Sequence, residues 1–485
     1  MKSTLIARTT SLALTFLLLA SQAWATCGGG GGGGMGGMGG GSGPGGGSSP
    51  QVYAVPWKII QPADSLKEGL AVYWLPATQQ ELERSSLRES HTLANYATQC
   101  VTMGIVDYRT ELGQKFATAN QLPTAVVVQA DGTVVARLEN TGGKLKVGDL
   151  EKLLDNEMKK REAAVKEKIE SAKGKIKAGD NQGAIQELRA VYEQKCLFPG
   201  KAKDAAKELK KLGVEVADVP NGPTFDPILS ARIEKTMRAG LKAENAAKYV
   251  EAERLYQSAH QMDPADPVPL RFLGELYRHH IGDWAKAREV FDSILAMPAD
   301  PMSRAVALHG LGKMTIHEGD FLKGLHLMEA SVREYPLALA YRNLAVYWNS
   351  EGDRAKADFY TQEALKLAPK DPYNLIFAAA FMAGNGHGEE ALKIARENEA
   401  VLPASYNLAA IYAQAGQRDK ALALLKRHFF EYERYQAVRS KEMMEARVDA
   451  VFASLMNDKE FMALTSGADG MLPMRMSPNA KPVGN

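Results

Sequence analysis

The sequence predicts an α+β chain of several domains, an α/β sandwich followed by an all-α superhelix of repeated helix pairs. Two patterns point there. Strand-length apolar runs alternate with helical stretches between residues 51 and 156, and a period of about 34 residues recurs through the second half. A hydrophobic content of 45% over 485 residues gives such units real cores to bury.

At the N-terminus Lys2 and Arg8 precede an apolar run, Ser11 to Ala20, and Ala23-Trp24-Ala25 supplies a small-x-small cleavage pattern. Residues 1–25 therefore read as a secretory signal peptide, the run being too short for a bilayer core of about 30 Å. The mature chain is expected to be exported, periplasmic or secreted. Cys27 offers an alternative, acylation as a lipoprotein anchor, and only then a membrane contact. Trp24-Ala25-Thr26-Cys27 departs from a lipobox, which carries Leu three residues before the cysteine and a small residue directly before it; cleavage after Ala25 is favoured.

Removing Lys2 and Arg8 from 59 basic residues leaves 57 against 57 acidic ones. That balance argues against nucleic acid as a partner. Three cysteines cannot build a disulfide framework. Cys100 and Cys196 are expected as buried, free thiols, with a single bridge between them as the alternative.

Residues 26–50 form a Gly-rich linker in which 16 of the 20 residues from Gly28 to Gly47 are glycine. Such a composition buries no core and reads as a flexible tether. A copper site built on Met35 and Met38 with Met471, Met474 and Met476 has nothing to fix its geometry, so no metal is expected.

Between 51 and 156, Leu70 to Trp74 and Val101 to Asp107 are strand-like, and Gln79 to Ala97 between them reads as helix. A second helical stretch, Thr110 to Asn120, precedes Leu122-Pro123-Thr124. Ala125 to Gln129 and Thr133 to Leu138 then flank the hairpin signal Asp131-Gly132. Val147 to Lys160 closes the unit as a helix.

Leu122-Pro123-Thr124 leading into Val126-Val127-Val128, an Asp-Gly turn and a closing helix resembles the second half of the thioredoxin fold. The resemblance implies a cis bond before Pro123 and a groove beside it that holds an extended chain. It also implies a dithiol four residues beyond the aromatic that ends the first long strand. With Trp74 as that aromatic, the dithiol positions hold Thr78 and Glu81, neither of which exchanges disulfides. The groove residues Trp74, Thr78, Glu81, Leu122 and Pro123 are thus candidates for binding.

Residues 157–213, rich in Lys, Glu and Ala, read as two antiparallel helices that turn at Ala178-Gly179-Asp180. Residues 214–227 read as a linker. From 228 to 430 small residues recur twelve positions apart, followed by a large residue and a proline. Gly240, Ala252, Tyr256 and Pro264 make the first unit. Gly274, Gly282-Asp283-Trp284, Ala287 and Phe291 make the second, with one residue inserted in its turn. Gly312, Gly324, Met328 and Pro336 make the third; Ala345, Ala357, Ala364 and Pro369 the fourth. Ala379, Ala391 and Pro403 mark a fifth, and Ala409, Tyr412 and Ala421 a sixth. Residues 431–468 read as capping helices and 469–485 as a disordered tail.

This spacing resembles the tetratricopeptide repeat (TPR). The resemblance implies helix pairs stacked into a superhelix, with the first helix of each pair along a concave face. It places Arg271, His309 and Arg342 on that face, with Arg278 and Lys313 nearby, as a basic strip for an acidic segment or a C-terminal carboxylate. Val346 departs from the carboxylate-clamp pattern of such repeats, where a polar residue stands.

No nucleophile–base constellation, paired-carboxylate motif or zinc pattern is legible, and Gly384-Asn385-Gly386-His387-Gly388 falls in an inter-helix turn. No cofactor is expected. The expected function is a non-enzymatic scaffold or adaptor for a protein or peptide. Two alternatives stand beside it: a periplasmic holdase, similar to proteins joining a thioredoxin-like domain to TPRs, and a thiol-disulfide oxidoreductase using Cys100.

Overall fold

The computed structural model describes residues 52–61, 69–367, 369, 371–400, 406–432 and 436–466. The signal peptide, the glycine tract, Cys27, Met35, Met38, Gln51, Pro403 and the tail with Met471, Met474 and Met476 lie outside the described residues.

The first unit is a five-stranded sheet. In chain order its elements are β1 (Lys58–Ile59), β2 (Leu70–Leu75), α1 (Gln79–Arg84), α2 (His91–Thr98), β3 (Val101–Ile105), α3 (Glu111–Phe116), β4 (Thr124–Gln129), β5 (Val134–Glu139) and α4 (Val147–Lys177). The strand order is β1-β3-β2-β4-β5, with β3 parallel to β1 and β2, and β4 antiparallel to β2 and β5. Alternate residues of β2 serve two cores. Leu70, Val72 and Trp74 pack with α2 and α4, whereas Ala71, Tyr73 and Leu75 pack with Phe116 of α3. The Leu122–Pro123 bond is cis.

Three stretches differ from the sequence expectation. The helix expected over 79–97 is broken at Ser85 and again at Ser90, whose hydroxyl accepts from Leu93 N at 2.9 Å and caps α2. Between the breaks Glu89 forms a β-bridge with Ala54. The helix expected over 110–120 ends at Phe116, and a 3₁₀ turn covers Ala119–Gln121. The closing helix runs on to Lys177, so the boundary expected at 156 falls inside α4. The segment 157–213 then adds α5 (Asn181–Tyr192) and α6 (Pro199–Lys211), making three helices. Their Ala184, Leu188, Ala202 and Leu209 share one apolar core with Val72, Trp74 and Leu154.

Cys100 and Cys196 are joined by a disulfide, Cα–Cα 5.8 Å, which corrects the expectation of free thiols. Cys100 is exposed rather than buried, because it precedes β3 with φ +59°.

Among the described residues beyond Asp226 the chain forms six antiparallel helix pairs. They are α7/α8 (Pro227–Asn245, Tyr249–Met262), α9/α10 (Pro267–Leu276, Trp284–Ala296), α11/α12 (Pro301–His317, Phe321–Glu334), α13/α14 (Ala338–Ser350, Arg354–Leu367), α15/α16 (Pro372–Gly384, Gly388–Asn398) and α17/α18 (Tyr406–Gln414, Arg418–Arg427). Four of the first helices begin alike. Asp226, Asp266, Asp300 and Asp371 each cap a helix whose next residue is proline, while α13 starts without a side-chain cap. The remaining first helix, α17, follows residues outside the described set. The residue inserted in the second pair is absorbed by a π-helical turn, Tyr277–Ile281, closed by Gly282 at φ +77°. A cap of α19 (Gln436–Val448), a 3₁₀ turn at Ala450–Leu455 and α20 (Lys459–Leu464) packs Phe452, Leu455 and Phe461 against α17. No described helix is long and apolar enough to cross a membrane.

The small residues of the repeat set how closely the helices cross. A Cβ on Gly274 would lie 2.3 Å from Cε1 of the fully buried Phe291. Gly274→Ala is therefore expected to cost about 1–3 kcal/mol by overpacking. An unchanged urea midpoint would show that this pair does not cross so closely.

Candidate functional site

Two places in the fold carry the residues singled out above. At the C-terminal end of β2, Leu75 is paired with Thr124, so the loop that follows β2 stands beside cis-Pro123. Trp74 is fully buried, 5.5 Å from Trp57, and its Nε1 donates to Glu81 at 3.3 Å. Thr78 caps α1 by accepting from Glu81 N at 3.1 Å, and Glu81 accepts from Ala77 N at 2.8 Å. Burial pushes the Glu81 carboxyl up, against the Ala77 and Trp74 hydrogen bonds that lower it. Leu122 O accepts from Asn140 Nδ2 at 3.3 Å. The five groove residues thus lie around one sheet end.

Cys100 does not belong there. It adjoins Val101, whose partner is Leu70 at the opposite end of β2. Six residues of strand put about 15–20 Å between the two ends. Its sulfur is bonded to Cys196, so it neither lines the groove nor stands as a free thiol.

The second place is the face formed by the first helices of the pairs. All five basic residues expected to line it are there, and all five are buried. Polar neighbours on the array close around them. Arg278 donates to Glu275 at 2.8 Å and 3.3 Å, and His279 lies 3.1 Å from the same carboxylate. His309 is hydrogen-bonded with Asn343 at 2.6 Å, and Lys313 donates to Tyr347 OH at 2.8 Å. Arg342 bonds Asn374 and lies 3.7 Å from Asp371. Arg271 is 1% exposed, with a 3.5 Å bond from Nη1 to Ser303 Oγ. Its Nε and Nη2 have no hydrogen-bond partner among the described residues. The expectation of an open basic strip is corrected accordingly.

Glu275 and Asp371, which answer those charges, are missed by the sequence reading. Glu275 stands four residues after Arg271 and three before Arg278, the spacing of helical ion pairs, and that signal was available.

Burial of this network sets its titration. Burial pushes His279 down to about 4, aided by Arg278 and opposed by Glu275. Burial would raise Glu275, but Arg278 and His279 outweigh it and hold the carboxyl at about 2. Both folded values lie below the unfolded ones, so the unfolded chain binds more protons as pH falls. Stability present above pH 6.5 should decline toward pH 4 through His279, by roughly 3 kcal/mol, and further toward pH 2 through Glu275. Melting curves at pH 7.5 and 4.5 should show the loss, and His279→Asn should flatten it. Equal slopes in both proteins would contradict the assignment.

What covers the face over pairs one to three is the edge of the sheet unit. Val52, Tyr53, Ala54 and Ala94 are buried in one apolar cluster with Ile233, Met237, Phe272, Leu273, Val306 and Tyr335. Tyr53 donates its hydroxyl to the fully buried Asp266 at 2.6 Å. His91 stacks on Tyr53 with centroids 4.0 Å apart, its Nε2 3.3 Å from Asp266. Tyr335 donates to Trp57 O at 3.2 Å. At the rim Arg238 pairs with Glu89 at 2.9 Å, and Tyr96 packs on Phe225 at 4.4 Å. Nothing in the sequence pairs residues 213 positions apart.

No family model matches the chain. In an alignment of 235 positions that covers 38% of this chain, it is 25% identical to the CTR9 homologue of Arabidopsis thaliana, and it spans about a fifth (21%) of that protein. Among solved structures it is similar to a thermophilic TPR protein of Thermus thermophilus, at 21% identity and TM-score 0.31, covering 38% of this chain and 99% of that one. It is also similar to a tetratricopeptide repeat protein of Parabacteroides merdae, at 17% identity and TM-score 0.29, covering 49% of this chain and all of that one.

Proposed function

We propose that the chain is a non-enzymatic protein-interaction scaffold, with a redox-silent, thioredoxin-like sheet unit seated on a TPR-type array. The observation that carries this reading is the first-helix face. In this molecule it already holds a short bent stretch of polypeptide, Val52 to Ala54, by a side-chain hydrogen bond and apolar burial. Stacked helix pairs use their surface in this way, since one continuous core supports an extended face.

The strand order, the cis-Pro123 and the residues Thr78 and Glu81 in the dithiol positions support the thioredoxin-like part. Cleavage after Ala25 and work outside the cytoplasm complete the reading, and the Cys100–Cys196 bridge supports it because such bridges persist in oxidising compartments.

Co-purification with the mature chain, followed by reconstitution with the single protein recovered, tests the proposal. A stoichiometric complex by calorimetry is the expected result. Cysteine-dependent reduction of insulin would overturn it. So would suppression of aggregation of a denatured model protein with no defined complex, which is the holdase outcome.

A further inference from the structure

The contact between Val52–Ala54 and the array mixes apolar burial with polar groups left incomplete. Arg271 Nε and Nη2 and His91 Nδ1 complete no hydrogen bond among the described residues, although Arg271 is 1% and His91 5% exposed. Buried donors without partners disfavour the closed arrangement relative to one that hydrates them. Its own unit holds the covering segment along one short stretch, residues 87–91, where Val52 N donates to Glu89 Oε1 at 2.9 Å and Trp57 Nε1 to Leu87 O at 2.7 Å. Ala54 makes one bridge with Glu89, Val55 N donates to Arg88 O at 2.9 Å, and Ser90 N donates to Tyr53 O at 2.9 Å.

The socket itself is specific. Asp266 is fixed at the start of α9, where it caps Val268 N at 2.9 Å, and its other oxygen takes the Tyr53 hydroxyl at 2.6 Å. Phe272, Met237 and Ile233 supply the apolar walls, and Tyr335 takes a backbone carbonyl, that of Trp57. A carboxylate that accepts a phenol hydroxyl rejects the ring without it, because the buried anion then loses its donor.

We propose that the first-helix face of pairs one to three is a peptide socket that reads a tyrosine hydroxyl through Asp266, and that Tyr53 is its resident plug. The partner it fits is a bent segment carrying tyrosine between small apolar residues, as Val52-Tyr53-Ala54 does. Such a segment enters by displacing residues 52–54. The proposal rests on the scaffold reading and adds its regulation: the free chain is closed to its partner until the plug is displaced.

The test uses the full chain and a fluorescein-labelled peptide of residues 51–57, read by anisotropy. Tyr53→Ala is expected to bind this peptide at least tenfold more tightly than the native chain. Replacing the peptide's tyrosine with phenylalanine, or adding Asp266→Asn, is expected to remove most of that gain. Should Tyr53→Ala fail to fold, Tyr53→Phe keeps the ring and is expected to show a gain of about threefold. The inference is overturned if a folded Tyr53 variant binds no better than the native chain, or binds tyrosine and phenylalanine peptides alike. A native chain that still forms its complex in those cases leaves the scaffold reading standing. A gain in peptide binding without any protein complex does the reverse.

Discussion

Replacing Tyr53 by alanine is expected to cost about 3–5 kcal/mol of unfolding free energy, the range for emptying a buried aromatic site. The side chain is fully buried between two units, and its hydroxyl is a donor to Asp266. Its removal leaves a cavity and takes the phenol donor from a buried carboxylate oxygen that keeps His91 at 3.3 Å. Both effects fall on α9, so amide exchange there should accelerate while β2 and β4, buried within the sheet, keep their protection. A loss below about 1 kcal/mol, with α9 exchange unchanged, would mean that the sheet unit and the array do not meet as described.

Reduction of the Cys100–Cys196 bridge is expected to cost a similar amount, about 4–5 kcal/mol, from the unit formed by the sheet and α4–α6. The bridge closes a loop with a sequence separation of 96, and releasing it returns that closure entropy to the unfolded chain. Cys100→Ser with Cys196→Ser should reproduce the effect of dithiothreitol on the thermal midpoint and be insensitive to it. A midpoint unmoved by either treatment would show that the two sulfurs are not joined in solution.

The repeat half was the more legible part of the chain, because each helix pair repeats one local rule. Small residues mark the crossings, large ones the seams, and four of the first helices carry Asp at the cap with Pro directly after it. Four of the five strands were legible for a similar reason, as short apolar runs ended by turn residues; β1, only two residues long, was not. The breaks within the 79–97 helix were not. Ser85 and Ser90 act as caps only because the chain must turn there to place Glu89 opposite Ala54.

The site was legible in position and misread in state. Arg271, Arg278, His309, Lys313 and Arg342 do fall on the first helices, as repeat spacing requires, but spacing carries no information about what covers a face. Those five are answered by Ser303, Glu275, Asn343, Tyr347 and Asp371 on the array itself, while Tyr53, His91 and Trp57, far earlier in the chain, meet Asp266 and Tyr335 of the same face. The disulfide stood in the sequence only as the alternative to free thiols, since Cys100 and Cys196 come together only after α4 and α5 have carried the chain back.

A double-mutant cycle on Tyr53 and Asp266 tests the central contact most directly. Unfolding free energies of the native chain, Tyr53→Phe, Asp266→Asn and the double variant separate their hydrogen bond from the capping role of Asp266 at α9. Seating of the sheet unit on the array predicts a coupling of about 1–3 kcal/mol. Effects that add to within about 0.5 kcal/mol would contradict it.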